Sequence, residues 1–302
     1  MRLRFVVLPL CCAIGLAAPP VAAAEEPPFV EVAAYLPPLA GTYEPSAEDD
    51  CTSGKPKCVD KVIREMYRRF NPQARSCDHA SVFALTYLRT TEEYQRASLT
   101  PGFFDDPYFV NHEDAVFARY YFDAFDDWKA NRRHLVPQAW RIALDAGAEK
   151  RVSTVGNLLL GVNAHINRDL PYVLAGIGLV KPDGSSRKAD HDKVNHFLNK
   201  VSDDLYPELA RRFDPAVDDG NLPGYLDDMA SFQAFPAMRE GAWRNAEALV
   251  NAATPAARAL VAAQIEATAA TTANAIVAAT AYGPLSGGSA ARDAYCAAHH
   301  DD

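Results

Sequence analysis

From Val59 onward, apolar residues recur at intervals of three and four, the period of an α-helix with one buried face. The pattern predicts helices over 59–70, 78–97, 112–130, 137–147, 153–169, 172–179, 188–212, 237–252 and 255–282. Asn111 and Ser153 stand where N-caps belong. Pro137 and Pro255 suit first helical turns, where a missing backbone N–H costs little. No stretch alternates apolar and polar residues, no hairpin dipeptide separates β-branched runs, and no internal repeat occurs. The expected fold class is all-α: a single-domain multi-helix bundle over residues 59–302, long enough for one large core.

Three segments depart from this pattern. Residues 25–58 are Pro-rich and acidic without periodicity, and read as an extended arm over the domain surface. Residues 214–236 break the helical period for more than twenty positions, a length typical of a functional lid or a surface excursion, and Tyr225, Phe232 and Phe235 argue that the segment packs down. The last predicted helix, 255–282, is built of Ala and Thr. Gln264, Glu266 and Asn274 exclude a membrane span there, and the small side chains permit close approach, which places it against the bundle centre.

The first 24 residues carry a basic start, an apolar stretch and Ala22-Ala23-Ala24, the pattern of a secretory signal peptide cut before Glu25. The expected location is secreted or periplasmic, with a mature chain of about 278 residues. Loss of Arg2 and Arg4 leaves 28 basic against 39 acidic residues, a charge of −11. No basic run exceeds two residues. Such a chain has no electrostatic footprint for nucleic acid or anionic membranes, and no stable membrane insertion is expected. Cleavage also leaves four cysteines, Cys51, Cys58, Cys77 and Cys296, which allow three connectivities. Gly54 and Pro56 let "CTSGKPKC" turn back on itself, favouring Cys51–Cys58 and leaving Cys77 for Cys296.

The candidate chemistry lies inside the apolar stripes. In 153–169 the stripe Val155, Leu158/Leu159, Val162 and Ile166 passes through His165 and Asp169, one turn apart. In 112–130 the stripe Phe117/Ala118, Tyr121, Phe125 and Trp128 extends back to Asp114. In 188–212 the stripe Val194, Phe197/Leu198, Val201 and Leu205 extends back to Asp190 and His191. A buried carboxylate without a partner costs several kcal/mol. If the three helices are neighbours, these groups meet in one polar cluster, the way helical bundles build metal sites. His165, Asp169 and Asp190 are then candidate metal ligands, for zinc or another divalent ion, with Asp114 and His191 completing the shell or moving protons. Alternatively, a His and an Asp four apart on a helix bond each other and serve packing specificity alone.

The chain contains no G-x-S-x-G, H-E-x-x-H, Walker loop or G-x-G-x-x-G. The stretch "LLLGVNAHINRDLP" resembles the signature of a family of uncharacterised bacterial proteins that share Asn-Ala-His-Ile-Asn-x-Asp-Leu on a helix. "FARYYFDAF", "QAW" at 138–140 and "DHDKVNHFL" at 190–198 resemble its flanking segments, over roughly residues 60–250. That likeness implies an all-α fold and no activity. The spacing His165-x₃-Asp169 is also similar to helix-borne zinc ligands of secreted zinc-dependent phospholipases C and related zinc-dependent nucleases. This second likeness implies a site of one or two metals, since a following H-x₃-E is missing (Lys200 stands four residues after His196). Two functions follow: a metal-dependent hydrolase of phosphoesters, or a non-enzymatic protein that binds a small apolar ligand or a cell-envelope partner and uses the polar cluster as a hydrogen-bond network.

Overall fold

A long, mostly buried helical run forms the central rod. In the computed structural model, which describes residues 42–218, 234–283 and 288–301, the run Thr154–Ile177 is one continuous helix, and nearly every side chain from Thr154 to Leu174 is buried. A helix apolar on all sides has to lie inside a bundle. The rod has three parts: α5 (Thr154–Val162), a π-helical turn (Asn163–Asp169) and α6 (Leu170–Ile177). Against it pack α2 (Ser81–Ser98), α3 (Pro107–Lys129), α4 (Gln138–Ala148), α9 (Phe235–Asn251) and α10 (Pro255–Thr280), with α1 (Lys57–Arg75), α7 (Lys188–Lys193), α8 (Asn195–Arg212) and α11 (Ala290–His299) further out. Among the described residues there are no sheets, only the isolated bridges Val152–Ala281 and Val180–Ser186. The protein is all-α.

Local chemistry sets the boundaries. The Ser153 hydroxyl accepts from Gly156 N–H, as an N-cap does, and Thr254 does the same for Ala257 N–H ahead of Pro255. The start of α3 differs from expectation. It begins at Pro107, capped by Asp106, whose carboxylate accepts from Phe109 N–H. Asn111 is therefore interior and buried; it accepts from the Tyr94 hydroxyl and donates to the Gly54 carbonyl. The helix expected over 188–212 breaks at Val194, and α11 was not foreseen. The π turn has a local cause. Pro171 lacks an N–H and its ring would crowd the carbonyl four residues back in a regular helix. The wider turn relieves this: Leu170 N–H reaches the His165 carbonyl, five residues back.

Close approach to the rod depends on small residues. A Cβ at Gly161 would collide with the Phe83 ring of α2, so only glycine fits there. On the opposite side α10 presents Ala262, Ala269, Ala270 and Ala273, with Glu266 buried among them, while Leu260 on its far face is exposed. The Ala/Thr-rich helix thus packs against the central rod, as its small side chains predict. The described part of the N-terminal arm folds back as turns against the start of α3, through the Gly54–Asn111 bond and a Cys51 carbonyl within 2.8 Å of His112 Nδ1. Residues 25–41 of that arm, and Tyr225 and Phe232 of the expected loop, lie outside the described residues.

Cys51 pairs with Cys58 and Cys77 with Cys296, with Cα separations of 4.7 and 5.9 Å. The second bridge ties α11 to the turn before α2. No helix among the described residues is long and apolar enough to cross a membrane.

Candidate functional site

The π turn carries "NAHINRD" and aims its polar residues two ways. Toward α10, Asn163 donates to the Ala269 carbonyl and Arg168 meets Glu266 at 2.8 Å. Toward α4, Asp169 is fully buried and accepts from three donors. Trp140 Nε1 reaches its Oδ2 at 2.8 Å, His165 Nδ1 reaches the same oxygen at 3.1 Å, and Arg168 reaches Oδ1 at 3.0 Å. Both carboxylate oxygens are therefore committed to protein donors.

This fixes the state of His165. A carboxylate only accepts, so Nδ1 carries the ring hydrogen and Nε2 keeps its lone pair. Burial pushes the imidazole pKa down, against the pull of Asp169, so the ring is neutral near pH 7. The ring lies flat on Phe117, centroids 3.5 Å apart and planes 4° apart, with the Tyr87 edge at 4.4 Å. Nε2 has no hydrogen-bond partner among the described residues.

His165 lines a solvent-connected cavity between α2, α3, the π turn, α8 and α9. Most of the wall is apolar, including Phe83, Phe117, Val162, Ile166 and Phe197. Five buried polar atoms on that wall lack any partner among the described residues: Tyr87 Oη, Thr91 Oγ1, Asp114 Oδ2, His165 Nε2 and Arg239 Nε. Asp114 is held in its acid form. Burial, then the neighbouring Glu113 charge, raise its carboxyl to about 8. At neutral pH it is a hydroxyl donor, opposite in character to the imidazole acceptor.

The five sequence candidates do not share one centre. His165 and Asp114 line the cavity, whereas Asp169 stands behind His165. Asp190 is elsewhere. Its carboxylate accepts the backbone N–H groups of Asp105 and Asp106 at 2.7 and 2.8 Å and meets Lys193 at 3.2 Å, pinning the loop ahead of α3. Asp190 and His191 are both buried, as the stripe predicts, but Asp190 turns to the loop ahead of α3 and not to His165. His191 is a neighbour of the cavity without lining it. Its Nδ1 accepts from Arg239 at 3.2 Å, and its Nε2 donates to the Arg239 carbonyl at 3.3 Å. Burial and the Arg239 charge lower its pKa, so it is a neutral clamp on that arginine.

The expected zinc ligand set, His165, Asp169 and Asp190, therefore does not fit one ion. Among the described residues no group of three or more His, Cys, Asp or Glu side chains is arranged to hold a metal. Sequence reasoning missed Arg239, Tyr87 and Thr91 because it followed only acids and histidines. The signal for Arg239 was present: it falls one turn after Phe235 and one before Trp243 on the buried face of α9.

No curated protein and no solved structure matches this chain. The model of a family of unknown function, DUF5995, matches residues 59–279, which span α2 to α9, the π turn and nearly all of α1 and α10, and the chain belongs to that family.

Proposed function

We propose that the protein binds a small, mostly apolar molecule in the cavity walled by α2, α3, the π turn, α8 and α9. One observation carries this reading: five residues that each hold a buried polar atom without a partner among the described residues line a single, mostly apolar chamber. Each such atom left without a hydrogen bond costs about 1–3 kcal/mol. A few placed polar groups in an apolar wall are what orients a small ligand. The two disulfides suit an oxidising compartment, and export before residue 25 is part of the proposal.

The test uses 3-phenylpropan-1-ol as a probe in titration calorimetry. Wild type takes up one equivalent, and its melting temperature rises with probe concentration. Thr90→Phe, which extends a wall residue into the chamber, abolishes both effects. No uptake by wild type, or equal uptake by the variant, contradicts the reading.

A catalytic version is favoured by one further feature: a neutral imidazole oriented by Asp169 and a protonated Asp114 face the same chamber. An acceptor and a donor with pKa values pushed apart form an acid–base pair. Under this version wild type hydrolyses the p-nitrophenyl ester of 3-phenylpropanoate, and His165→Gln loses about 100-fold in rate or more while still binding the alcohol. Equal rates in both proteins refute it. Metal-dependent phosphoester hydrolysis, suggested by the His165-x₃-Asp169 spacing, has less support, because only one of its three expected ligands offers the cavity an atom.

A further inference from the structure

Arg239 reaches the cavity from α9 and is only 6% exposed. One terminal nitrogen is occupied by His191, donating to its carbonyl at 2.7 Å and to Nδ1 at 3.2 Å. Its Nε hydrogen has no acceptor, and no carboxylate among the described residues lies within the 4.0 Å of an ion pair. Arg69, Arg168 and Arg187 are similarly buried, and each meets a carboxylate at 3.0 Å or less. A buried cation without a counter-ion is costly, and the donor fork of a guanidinium matches the two oxygens of a carboxylate.

The surrounding charges leave room for an anion. Glu113 lines the same cavity and supports the Arg239 charge from a distance, but its closest ionic neighbour is His191 Nδ1 at 3.8 Å. Asp192 acts on Arg239 only from further off. Asp114 is protonated near neutral pH, so it donates to an incoming oxygen instead of repelling it. Burial lowers the Arg239 pKa to about 10, which leaves it charged at pH 7. The hydroxyls of Tyr87 and Thr91 supply further neutral donors.

We infer that the ligand is a monocarboxylic acid with an apolar body, and that Arg239, held by His191, anchors its carboxylate while the body lies along Phe117, Ile166 and Phe197. This rests on the cavity being a ligand site, as proposed above. It makes Arg239 a specificity-determining residue and His191 a positioning residue.

The test compares 3-phenylpropanoate with 3-phenylpropan-1-ol and 3-phenylpropanamide, which share the body and lack the charge. At pH 7 wild type should bind the acid at least about tenfold more tightly than either neutral probe, a difference of about 1.4 kcal/mol. Arg239→Gln should weaken the acid at least about tenfold more than the alcohol and so remove that preference, and Arg239→Lys should fall between. If wild type binds acid and alcohol equally, the cavity reading stands and the Arg239 assignment falls. If folded Arg239→Gln keeps the preference, or loses acid and alcohol alike, the assignment also falls. If no probe binds wild type, both readings fail. Because the wild-type comparison decides alone, a variant that does not fold does not rescue the inference.

Discussion

Asp169→Asn is the most informative single perturbation of the buried centre. The wild-type carboxylate takes three hydrogen bonds with two acceptor oxygens, from Trp140, His165 and Arg168. An amide of the same shape offers one acceptor oxygen and one NH₂. Its best orientation places the oxygen toward Trp140 and His165 and turns the NH₂ toward the Arg168 guanidinium, donor against donor. Arg168 keeps Glu266 at 2.8 Å, so the full cost of about 3–5 kcal/mol for breaking a buried ion pair is not incurred. What is lost is one hydrogen bond to a charged group, about 1.5–3 kcal/mol, plus part of the donor–donor conflict. The expected loss is about 2–4 kcal/mol. Urea unfolding followed by circular dichroism measures it as a lower midpoint at unchanged slope. A loss below about 0.5 kcal/mol would show that Asp169 is not the acceptor hub, and the orientation assigned to His165 would go with it.

Other outcomes follow from the same geometry. Asp114 titrates near 8 when folded and near 3.9 when unfolded, so the folded state binds the extra proton between these values and stability drops as pH rises across that window. Asp114→Asn should therefore exceed wild type by about 2–5 kcal/mol at pH 8.5, with the gap closing toward pH 4; a constant gap across the range counts against the buried acid. Replacing both Cys77 and Cys296 by Ala should cost up to about 5 kcal/mol through the long closed loop, and thiol titration of the denatured, unreduced mature chain should find no reactive sulfur. Two or more titrated thiols contradict the pairing. Gly161→Ala pushes on Phe83 and should destabilise by about 1–3 kcal/mol and weaken probe binding together; an unchanged protein would mean that α2 and the rod are not in close contact.

The all-α class, the Ser153 cap and the Cys51–Cys58 pair were legible because each rests on a local signal, and Cys77–Cys296 followed by elimination; the rod was legible only as two helices, 153–169 and 172–179, which the π turn joins into one. His165 and Asp169 were legible as a buried pair for the same reason, since residues four apart on a helix share a face. Their convergence with Asp190 was not, because burial on a stripe does not say which neighbour a side chain meets, and Asp190 meets the Asp105 and Asp106 backbone. The start of α3 misled in a similar way: Asn111 has the chemistry of a cap, but Asp106 before Pro107 is a better one, and tertiary bonds to Tyr94 and Gly54 satisfy Asn111 inside the helix. The partnerless atoms of the cavity come from four separate segments of chain, and no periodicity along one helix reports where another helix ends its side chains. Arg239 falls between: its place on an apolar face was readable, its missing counter-ion was not.

The most direct measurement is a ¹⁵N-imidazole NMR titration of wild type with 3-phenylpropan-1-ol, combined with NOEs to the bound probe. A ligand site built on the oriented imidazole predicts that free His165 shows a protonated Nδ1 and an acceptor Nε2 at pH 8, with any ring protonation falling below the ordinary histidine range. On saturation the Nε2 shift should move, with NOEs from the probe to Phe117 and Ile166. A His165 that titrates above the ordinary histidine value, or a probe that binds while leaving Nε2 and these side chains untouched, contradicts it.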